Sequence, residues 1–344
     1  MYLQADGFCE VKEFIVDRNS LLKGRMGMMV HYLPPFPLND EYSFFDLDGF
    51  LKQFDRMNFD YLLFTLGQNT GWYNAPNEAL DKYAGPGHCS ERDIFGELAE
   101  AMAQRGKFIL AYLPCEICDN TSLHKPLGWT TEENTDQALF QERYCEVIAC
   151  WAERYGKLLK GWWFDGCYPW PIYHQSRVNF EKYSAAVRAG NPDALVTFND
   201  GCFCNKITRP FRGGFDYFAG ECVSLDKATG RPIKGFDASG ETATLQECIE
   251  TGFPETLPHL LVSTDAFWKH GFSPKCLGPQ KHFFVEPSTL PPGVMEPPVY
   301  TAETLKKTVD VYCKNNGAVT FNLGIFPNGL LGEKTVELFS AFAK

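Results

Sequence analysis

Short apolar runs alternate along the chain with longer stretches in which hydrophobic residues recur at helical spacing. The short runs are typical of buried parallel strands and predict eight strands, at residues 26–32, 60–66, 107–113, 159–164, 194–198, 215–218, 260–263 and 318–322. The longer stretches predict helices at residues 44–57, 90–105, 135–155, 180–189, 301–315 and 333–342. Ser90 is predicted to cap the second of these helices, with Asp93 three residues further on.

This order of elements predicts the fold class. Eight strands with helices between them are the pattern of an α/β protein folded as a (β/α)8 TIM barrel. We expect a single catalytic domain over residues 25–344, preceded by an N-terminal extension over residues 1–24. Residues 273–299 are rich in proline and glycine and are predicted to form a long connection after the seventh strand.

Composition and charge narrow the range of partners. The 344 residues are 44% hydrophobic and 22% charged, as in a globular protein, and they carry a formal net charge of −11. Such a charge argues against binding to a nucleic acid or to an anionic membrane surface. The sequence has no apolar run of membrane-spanning length and no signal-peptide pattern at its start, so we expect a cytoplasmic protein unless a leader has been removed. A homo-oligomer is left open.

The thirteen cysteines are scattered, which favours buried thiols in a reducing compartment over a disulfide framework. Two close pairs occur, Cys115 with Cys118 and Cys202 with Cys204, but a closed zinc site would need such pairs to meet in space. The seven histidines show no ligand spacing. We therefore predict that the protein needs no metal and no cofactor.

Polar side chains at the carboxyl ends of the predicted strands are the candidates for function, because barrel active sites lie at that end. These ends carry His31, Gln68, Asn69, Tyr112, Asp165, Asn199, Asp200, Glu221, Asp265 and Asn322. Aromatic residues occur nearby, at Trp72, Tyr73, Trp129, Trp163, Tyr168, Trp170 and Trp268. Acceptors for hydroxyl groups, together with rings that stack on the C–H faces of sugars, predict a neutral, polyhydroxylated ligand.

Four segments resemble the α-L-fucosidases of glycoside hydrolase family 29. They are GWWFDG at 161–166, MGMMVHY at 26–32, SERDIFGELAEAMAQRGKFILAY at 90–112 and FNLGIFPNGLLGEKTVELF at 321–339. The resemblance implies that Asp165 is the catalytic nucleophile and that His31 binds the sugar. It also implies a retaining exo-α-glycosidase that removes a terminal fucose-like residue from an oligosaccharide or glycoside by double displacement.

Two features depart from the family pattern. The family usually has a pair of histidines after the second strand, where this chain has Gln68 and Asn69, and neither of these side chains can become cationic. We also expect none of the C-terminal β-sandwich that is common in the family. Two alternatives therefore stay open: the same scaffold acting on a different sugar, such as an L-galactose-like or D-arabinose-like residue, and a catalytically silent carbohydrate-binding barrel.

The second catalytic carboxylate is predicted to be Glu221, in the segment DYFAGEC just after the predicted sixth strand. As the general acid and base, it would need a raised pKa, from apolar surroundings or from the nearby charge of the nucleophile. Asp200, Glu241, Glu255 and Asp265 are the alternatives. The predicted substrate-binding residues are His31, Gln68, Asn69, Trp72, Tyr112, Trp163 and Trp268, with core packing as the competing role for the histidine and the tryptophans.

Overall fold

The computed structural model describes residues 18–34, 44–68, 72–201, 209–233, 241–250, 252–265, 294–295 and 297–342. Its eight strands are β1 (Met26–Val30), β2 (Tyr61–Thr65), β3 (Phe108–Pro114), β4 (Leu159–Asp165), β5 (Leu195–Phe198), β6 (Glu221–Cys222), β7 (His259–Ser263) and β8 (Ala318–Leu323). Every ladder between them is parallel, and the order β5-β4-β3-β2-β1-β8-β7-β6 follows the chain around one curled sheet. This arrangement confirms the predicted barrel class.

The described helices pack around the outside of the sheet. They are α1 (Leu47–Met57), α2 (Glu78–Ala84), α3 (Ile94–Gln104), α4 (Thr121–Leu127), α5 (Ala138–Tyr155), α6 (Phe180–Val187), α7 (Leu245–Ile249), α8 (Ala302–Cys313) and α9 (Glu333–Phe342). The short helices α2, α4 and α7 fall outside the predicted helical stretches, because segments of five to seven residues show too little periodicity to stand out.

The predicted start of the second predicted helix, which is α3 in the structure, is wrong. Asp93, and not Ser90, is the N-cap of α3, because its carboxylate accepts a hydrogen bond from the backbone N–H of Gly96 at 2.8 Å. Ser90 lies outside the helix, where its backbone N–H donates to the carbonyl oxygen of Tyr73 at 2.8 Å.

The sixth strand also differs from its prediction at residues 215–218. These residues are buried, but isolated hydrogen bonds and not a continuous ladder join them to their neighbours. The N–H of Asp216 donates to the carbonyl oxygen of Val196 at 2.9 Å, and Tyr217 forms a single bridge with Leu257. They therefore lie between β5 and the start of β7 and connect the two edges of the curled sheet.

Gly220 explains why residues 215–218 do not continue directly into the ladder between β6 and β7. Its φ is +72°, and a Cβ at this position would overlap the carbonyl oxygen of His259 in β7. The chain turns at this close approach and pairs again with β7 through Glu221 and Cys222. As a result, Glu221 lies on the strand itself, and not in the loop after it.

The core has two layers, one inside the barrel and one between the sheet and the helices. The inner layer holds aromatic and aliphatic side chains from alternate strand positions, among them Met29, Tyr61, Leu63, Tyr112, Trp163, Leu195, Tyr217 and Leu261. A chain of hydrogen bonds crosses this layer: Thr320 Oγ1 lies 2.7 Å from the hydroxyl of Tyr61 and 2.7 Å from Nε2 of His259.

No helix in the part of the chain that the structure describes has the length and apolar character needed to span a membrane. The predicted connection at residues 273–299 lies largely outside the described residues, as does the Cys202–Cys204 pair. The division into an extension over residues 1–24 and a barrel over 25–344 stays a prediction.

Candidate active site

Asp165 ends β4 at the carboxyl end of the barrel, and four donors converge on its carboxylate. Oδ2 accepts the hydroxyl of Tyr112 at 2.5 Å. Oδ1 accepts the hydroxyl of Tyr168 at 2.7 Å, the side-chain amide of Asn199 at 2.9 Å and its neighbouring backbone N–H, of Gly166, at 2.8 Å. These bonds fix the orientation of the carboxylate and leave Oδ2 with more free lone-pair capacity than Oδ1 among the described contacts.

The two tyrosines stay protonated donors at any physiological pH. Burial raises the pKa of Tyr112 well above its usual range, and the negative charges of Asp165 and Glu221 raise it further. The pKa of Tyr168 is raised for the same reasons in the same order. Both hydroxyls therefore donate to Asp165 and do not compete with it for protons.

Asn199, directly after β5, joins Asp165 to the second predicted carboxylate. Its Nδ2 donates to Oδ1 of Asp165 at 2.9 Å and to Oε2 of Glu221 at 2.8 Å. The sum of these two distances is the greatest separation that these two oxygens can have. For this pair of oxygens, the limit is close to the roughly 5–5.5 Å that separates the carboxyl groups of retaining glycosidases.

Three predicted sugar-binding residues, Tyr112, Gln68 and His31, form a contact chain that begins at Asp165. Gln68 donates from Nε2 to the hydroxyl of Tyr112. The ring of His31 packs edge-on against Tyr112, with the ring centroids 4.7 Å apart, and its Nδ1 lies 3.1 Å from Oδ1 of Asn322. Residues at the ends of β1, β2 and β8 thus gather around Tyr112 of β3: Gln68 bonds to its hydroxyl, His31 packs on its ring, and Asn322 contacts His31.

Trp163 lies one layer deeper. It is 2% exposed, stacks on Tyr112 at 5.3 Å between ring centroids, and donates from Nε1 to the carbonyl oxygen of Ala219 at 2.9 Å. In this position it supports Tyr112 from below. Trp72 is half-buried beside the bridge between residues 67 and 73. Asn69 and Trp268 lie outside the described residues, and for all of these residues contact with a substrate stays a prediction.

The other carboxylates considered for the acid–base role have different hydrogen-bond partners or positions from those of Glu221. Asp265 accepts the N–H of Gly324 at 2.6 Å and the hydroxyl of Thr335 at 2.7 Å, which ties β7 to the segment after β8. Burial raises the pKa of Asp200 to about 6, and the described residues offer no donor to its Oδ1. Glu255 precedes β7, at the amino end of the barrel, and Glu241 is exposed.

Two contributors to the site, Asn199 and Tyr168, were among the strand-end and aromatic candidates but were given no catalytic or substrate-binding role. The position of Asn199 at a strand end was visible in the sequence, but the bridging role of its amide depends on the tertiary structure. Tyr168 follows the WFDG segment by two residues, and that spacing is the signal that could have identified it. Tyr73 and Trp129, by contrast, are buried core residues at 1% and 7% exposure.

The described cysteines are free thiols. Burial raises the pKa of Cys115 well above its usual range, and its neighbour Cys167 adds to this effect. Burial also raises the pKa of Cys118. Protonated thiols are poor nucleophiles and poor metal ligands, and within the described residues no cluster of three or more histidine, cysteine or acidic side chains could hold a metal ion.

Comparison with known proteins shows a likeness of fold. No protein-family model matches the chain, and a search of curated proteins finds no match. Among solved structures, the endo-fucoidan hydrolase P5AFcnA from glycoside hydrolase family 107 superposes with a TM-score of 0.64 at 12% identity, over 95% of this chain and 92% of that one. The endo-fucoidan hydrolase MfFcnA4 from the same family gives 0.63 at 16% identity, and the chain spans about half of its length, 53%.

The α-L-fucosidase AlfC from Lactobacillus casei, in complex with its α-L-fucose product, superposes with a TM-score of 0.54 at 15% identity, over 95% of each chain. These likenesses confirm the barrel fold and its resemblance to the α-L-fucosidases. At this low identity, the fold is what the chain shares with these fucose-acting glycoside hydrolases.

Proposed function

We propose that this protein is a glycoside hydrolase, a retaining exo-α-glycosidase of the α-L-fucosidase type that releases a terminal fucose-like residue by double displacement. The observation that carries the proposal is the shared donor: Asn199 bonds to Asp165 at 2.9 Å and to Glu221 at 2.8 Å. Two carboxyl oxygens held by one donor are closer to the carboxyl separation of retaining glycosidases than to that of inverting ones, which supports a retaining mechanism.

In the first step, Asp165 attacks the anomeric carbon while the bond from that carbon to the glycosidic oxygen breaks. Glu221 donates its proton to the departing oxygen, so a neutral alcohol leaves and a glycosyl ester forms on Asp165. Oδ2 is the attacking oxygen in this proposal, because Oδ1 already accepts three hydrogen bonds. In the second step, Glu221 takes a proton from water, which attacks the same carbon and releases the sugar.

The sugar in this proposal lies over Tyr112, within reach of His31 and Gln68. Fucose-like stereochemistry is supported by the resemblance of the WFDG and MVHY segments and by the shared fold of the fucose-acting hydrolases. Exo action rests on the resemblance to α-L-fucosidases.

A substrate panel tests the reaction. Nitrophenyl glycosides of α-L-fucose, α-L-galactose and β-D-arabinose are incubated with the protein, with Asp165→Ala as the blank. Proton NMR of the first product then gives its anomeric configuration. We expect hydrolysis of the fucoside with retained configuration. An inverted product would contradict the double displacement, and an inactive protein that still binds the free sugar would identify a silent binding barrel.

Glu221→Ala tests the acid–base role. The variant should lose most of its rate on substrates with poor leaving groups and much less on activated aryl glycosides, because only the former need protonation. Equal losses on both substrates would point to another acid, with Asp200 the next choice, because it is a half-buried carboxyl group with a raised pKa.

Endo attack on a fucose polymer is the second candidate. The observation that favours it is the higher TM-score of the endo-fucoidan hydrolases, 0.64 against 0.54 for AlfC. Product sizes from a fucoidan separate the two: an exo enzyme releases monosaccharide only, whereas an endo enzyme shortens the polymer before any monosaccharide accumulates.

A further inference from the structure

Trp170 is an exposed tryptophan next to the candidate active site. It lies in the loop after β4, and 44% of its surface is accessible, whereas Trp151, Trp162 and Trp163 are buried. The proposed catalytic steps do not use it. A large apolar ring left in water represents hydrophobic free energy that a ligand can recover on binding.

The loop that carries Trp170 is held firmly on both sides. The backbone N–H of Gln175 donates to the carbonyl oxygen of Tyr168 at 3.1 Å, and Pro169 forms a bridge with His174. Tyr173 anchors the loop from below, since it is 4% exposed and packs edge-on against Trp129 at 5.6 Å. Trp170 is therefore exposed on a fixed loop.

Trp170 is also coupled to the nucleophile candidate through a single side chain. Its ring packs edge-on against Tyr168 with centroids 4.9 Å apart, and the Tyr168 hydroxyl donates to Asp165 at 2.7 Å. One aromatic ring thus separates the exposed indole from the carboxylate. A substrate whose terminal sugar lies against Asp165 and whose next unit extends past Tyr168 would reach Trp170.

We propose that Trp170 is the platform on which the leaving-group sugar stacks, and that it favours substrates that carry a second sugar ring next to the terminal residue. This inference rests on the proposed function, because it needs a substrate with a leaving group. An indole binds the apolar C–H face of a pyranose by burying it from water, with little demand on hydroxyl orientation. The subsite therefore selects for the presence of a second sugar ring.

Two substrates separate this role from the chemical step. α-L-Fucosyl fluoride has no sugar leaving group, whereas a fucosyl disaccharide has one. Trp170→Ala should lower kcat/KM for the disaccharide on the order of tenfold and leave kcat/KM for the fluoride within about twofold. Trp170→Phe should recover part of the loss, because it restores a ring. Leu158→Ala is the control, because Leu158 is also exposed, at 37%, but immediately precedes β4 at the opposite end of the barrel.

Each outcome decides a different point. Equal losses on both substrates would place Trp170 in support of Tyr168 and Asp165 and would overturn the subsite. An unchanged kcat/KM on the disaccharide would overturn it as well. If the unmodified protein hydrolyses neither fucosyl compound, the proposed function fails and the subsite with it. If the protein hydrolyses the fluoride and Asp165→Ala abolishes this activity, the proposed function is supported, whatever the result for the Trp170 variants.

Discussion

At the scale of the residue, Asp165 shows how one carboxylate is prepared for attack. Three donors, from Tyr168, Asn199 and Gly166, occupy Oδ1, while Tyr112 alone of the described residues donates to Oδ2. Preorganised donors of this kind need not rearrange during the reaction. The orientation of the nucleophile is thus set by residues from three different strand ends.

Asp165→Ala should lower turnover by several orders of magnitude and change the melting temperature by only a few degrees, because a nucleophile has no substitute whereas a carboxylate at a strand end adds little to core packing. External azide should restore part of the rate, since a small anion fits the vacated space, and the product should be a fucosyl azide of inverted configuration. Circular dichroism melts and azide-dependent rates measure the two effects. A collapse of stability together with activity would show a structural role instead.

Asn199 is predicted to hold the two candidate carboxylates in position. It donates to Asp165 at 2.9 Å and to Glu221 at 2.8 Å. Asn199→Ala removes both hydrogen bonds, so kcat/KM should fall on the order of a hundredfold, because a small displacement of catalytic groups costs about that much. Asn191→Ala is the matched control: this buried asparagine donates to the carbonyl oxygen of Leu159 at the other end of β4, at 2.9 Å. It should lose stability and keep kcat/KM close to that of the wild type.

From the sequence, the identity of a site residue can be predicted more readily than the contacts that its side chain makes. Asp165, Glu221 and His31 are identified by their position at strand ends or by motif, and the structure places all three at the carboxyl end of the barrel. The bridge made by Asn199 could not be predicted, because it depends on side-chain directions from β4, β5 and β6 at once. The stacking of Trp163 below Tyr112 likewise depends on the register of β3 and β4.

At the scale of the element, the hydrophobic pattern predicts seven of the eight strands to within about two residues, a margin expected for element ends. The sixth strand fails because residues 215–218 have the apolar composition of a strand, while the ladder to β7 forms only after Gly220. Composition does not show where a backbone comes too close to its neighbour. The start of α3 fails for a related reason, since Ser90 and Asp93 are both good caps and only the structure shows which one bonds.

The interruption of β6 leads to a paired prediction. Gly220→Ala adds a Cβ where the His259 carbonyl lies and also strains a residue with φ of +72°, so it should lower the free energy of unfolding by about 2–5 kcal/mol. Gly214 has φ of +89°, but a Cβ added there would meet no neighbouring atom within 4 Å, so Gly214→Ala should cost only the strain, about 1–2 kcal/mol. Urea unfolding of the two variants measures the difference. Equal losses would show that the close approach does not constrain the strand.

At the scale of the whole molecule, a fold shared at 12–16% identity must depend on features that many sequences can supply. Here those features are the alternating apolar runs and an inner layer filled by large side chains from neighbouring strands. Some polar side chains also lie in that layer, and they form hydrogen bonds with one another or with backbone carbonyl groups. His259 is the clearest case: it is 1% exposed, with Nδ1 2.9 Å from the carbonyl oxygen of Phe218 and Nε2 2.7 Å from Thr320.

This histidine should make the stability of the whole barrel depend on pH. Burial lowers the pKa of His259 from 6.5 to about 4, so the unfolded chain binds the proton more readily than the folded one. The contribution of the neutral ring is complete above pH 6.5 and is lost as the pH falls towards 4, by about 2 kcal/mol at pH 5 and about 3 kcal/mol at lower pH.

Urea unfolding at pH 7.5 and pH 5 tests this linkage. His259→Gln should be less stable than the wild type at pH 7.5 and should lose about 2 kcal/mol less between the two pH values, because glutamine has no proton to gain. Leu261→Ala, at a buried apolar position in the same inner layer, should be destabilised equally at both pH values. If His259→Gln kept the wild-type pH dependence, the acid sensitivity would have to come from groups other than His259, and the linkage proposed for this histidine would be wrong.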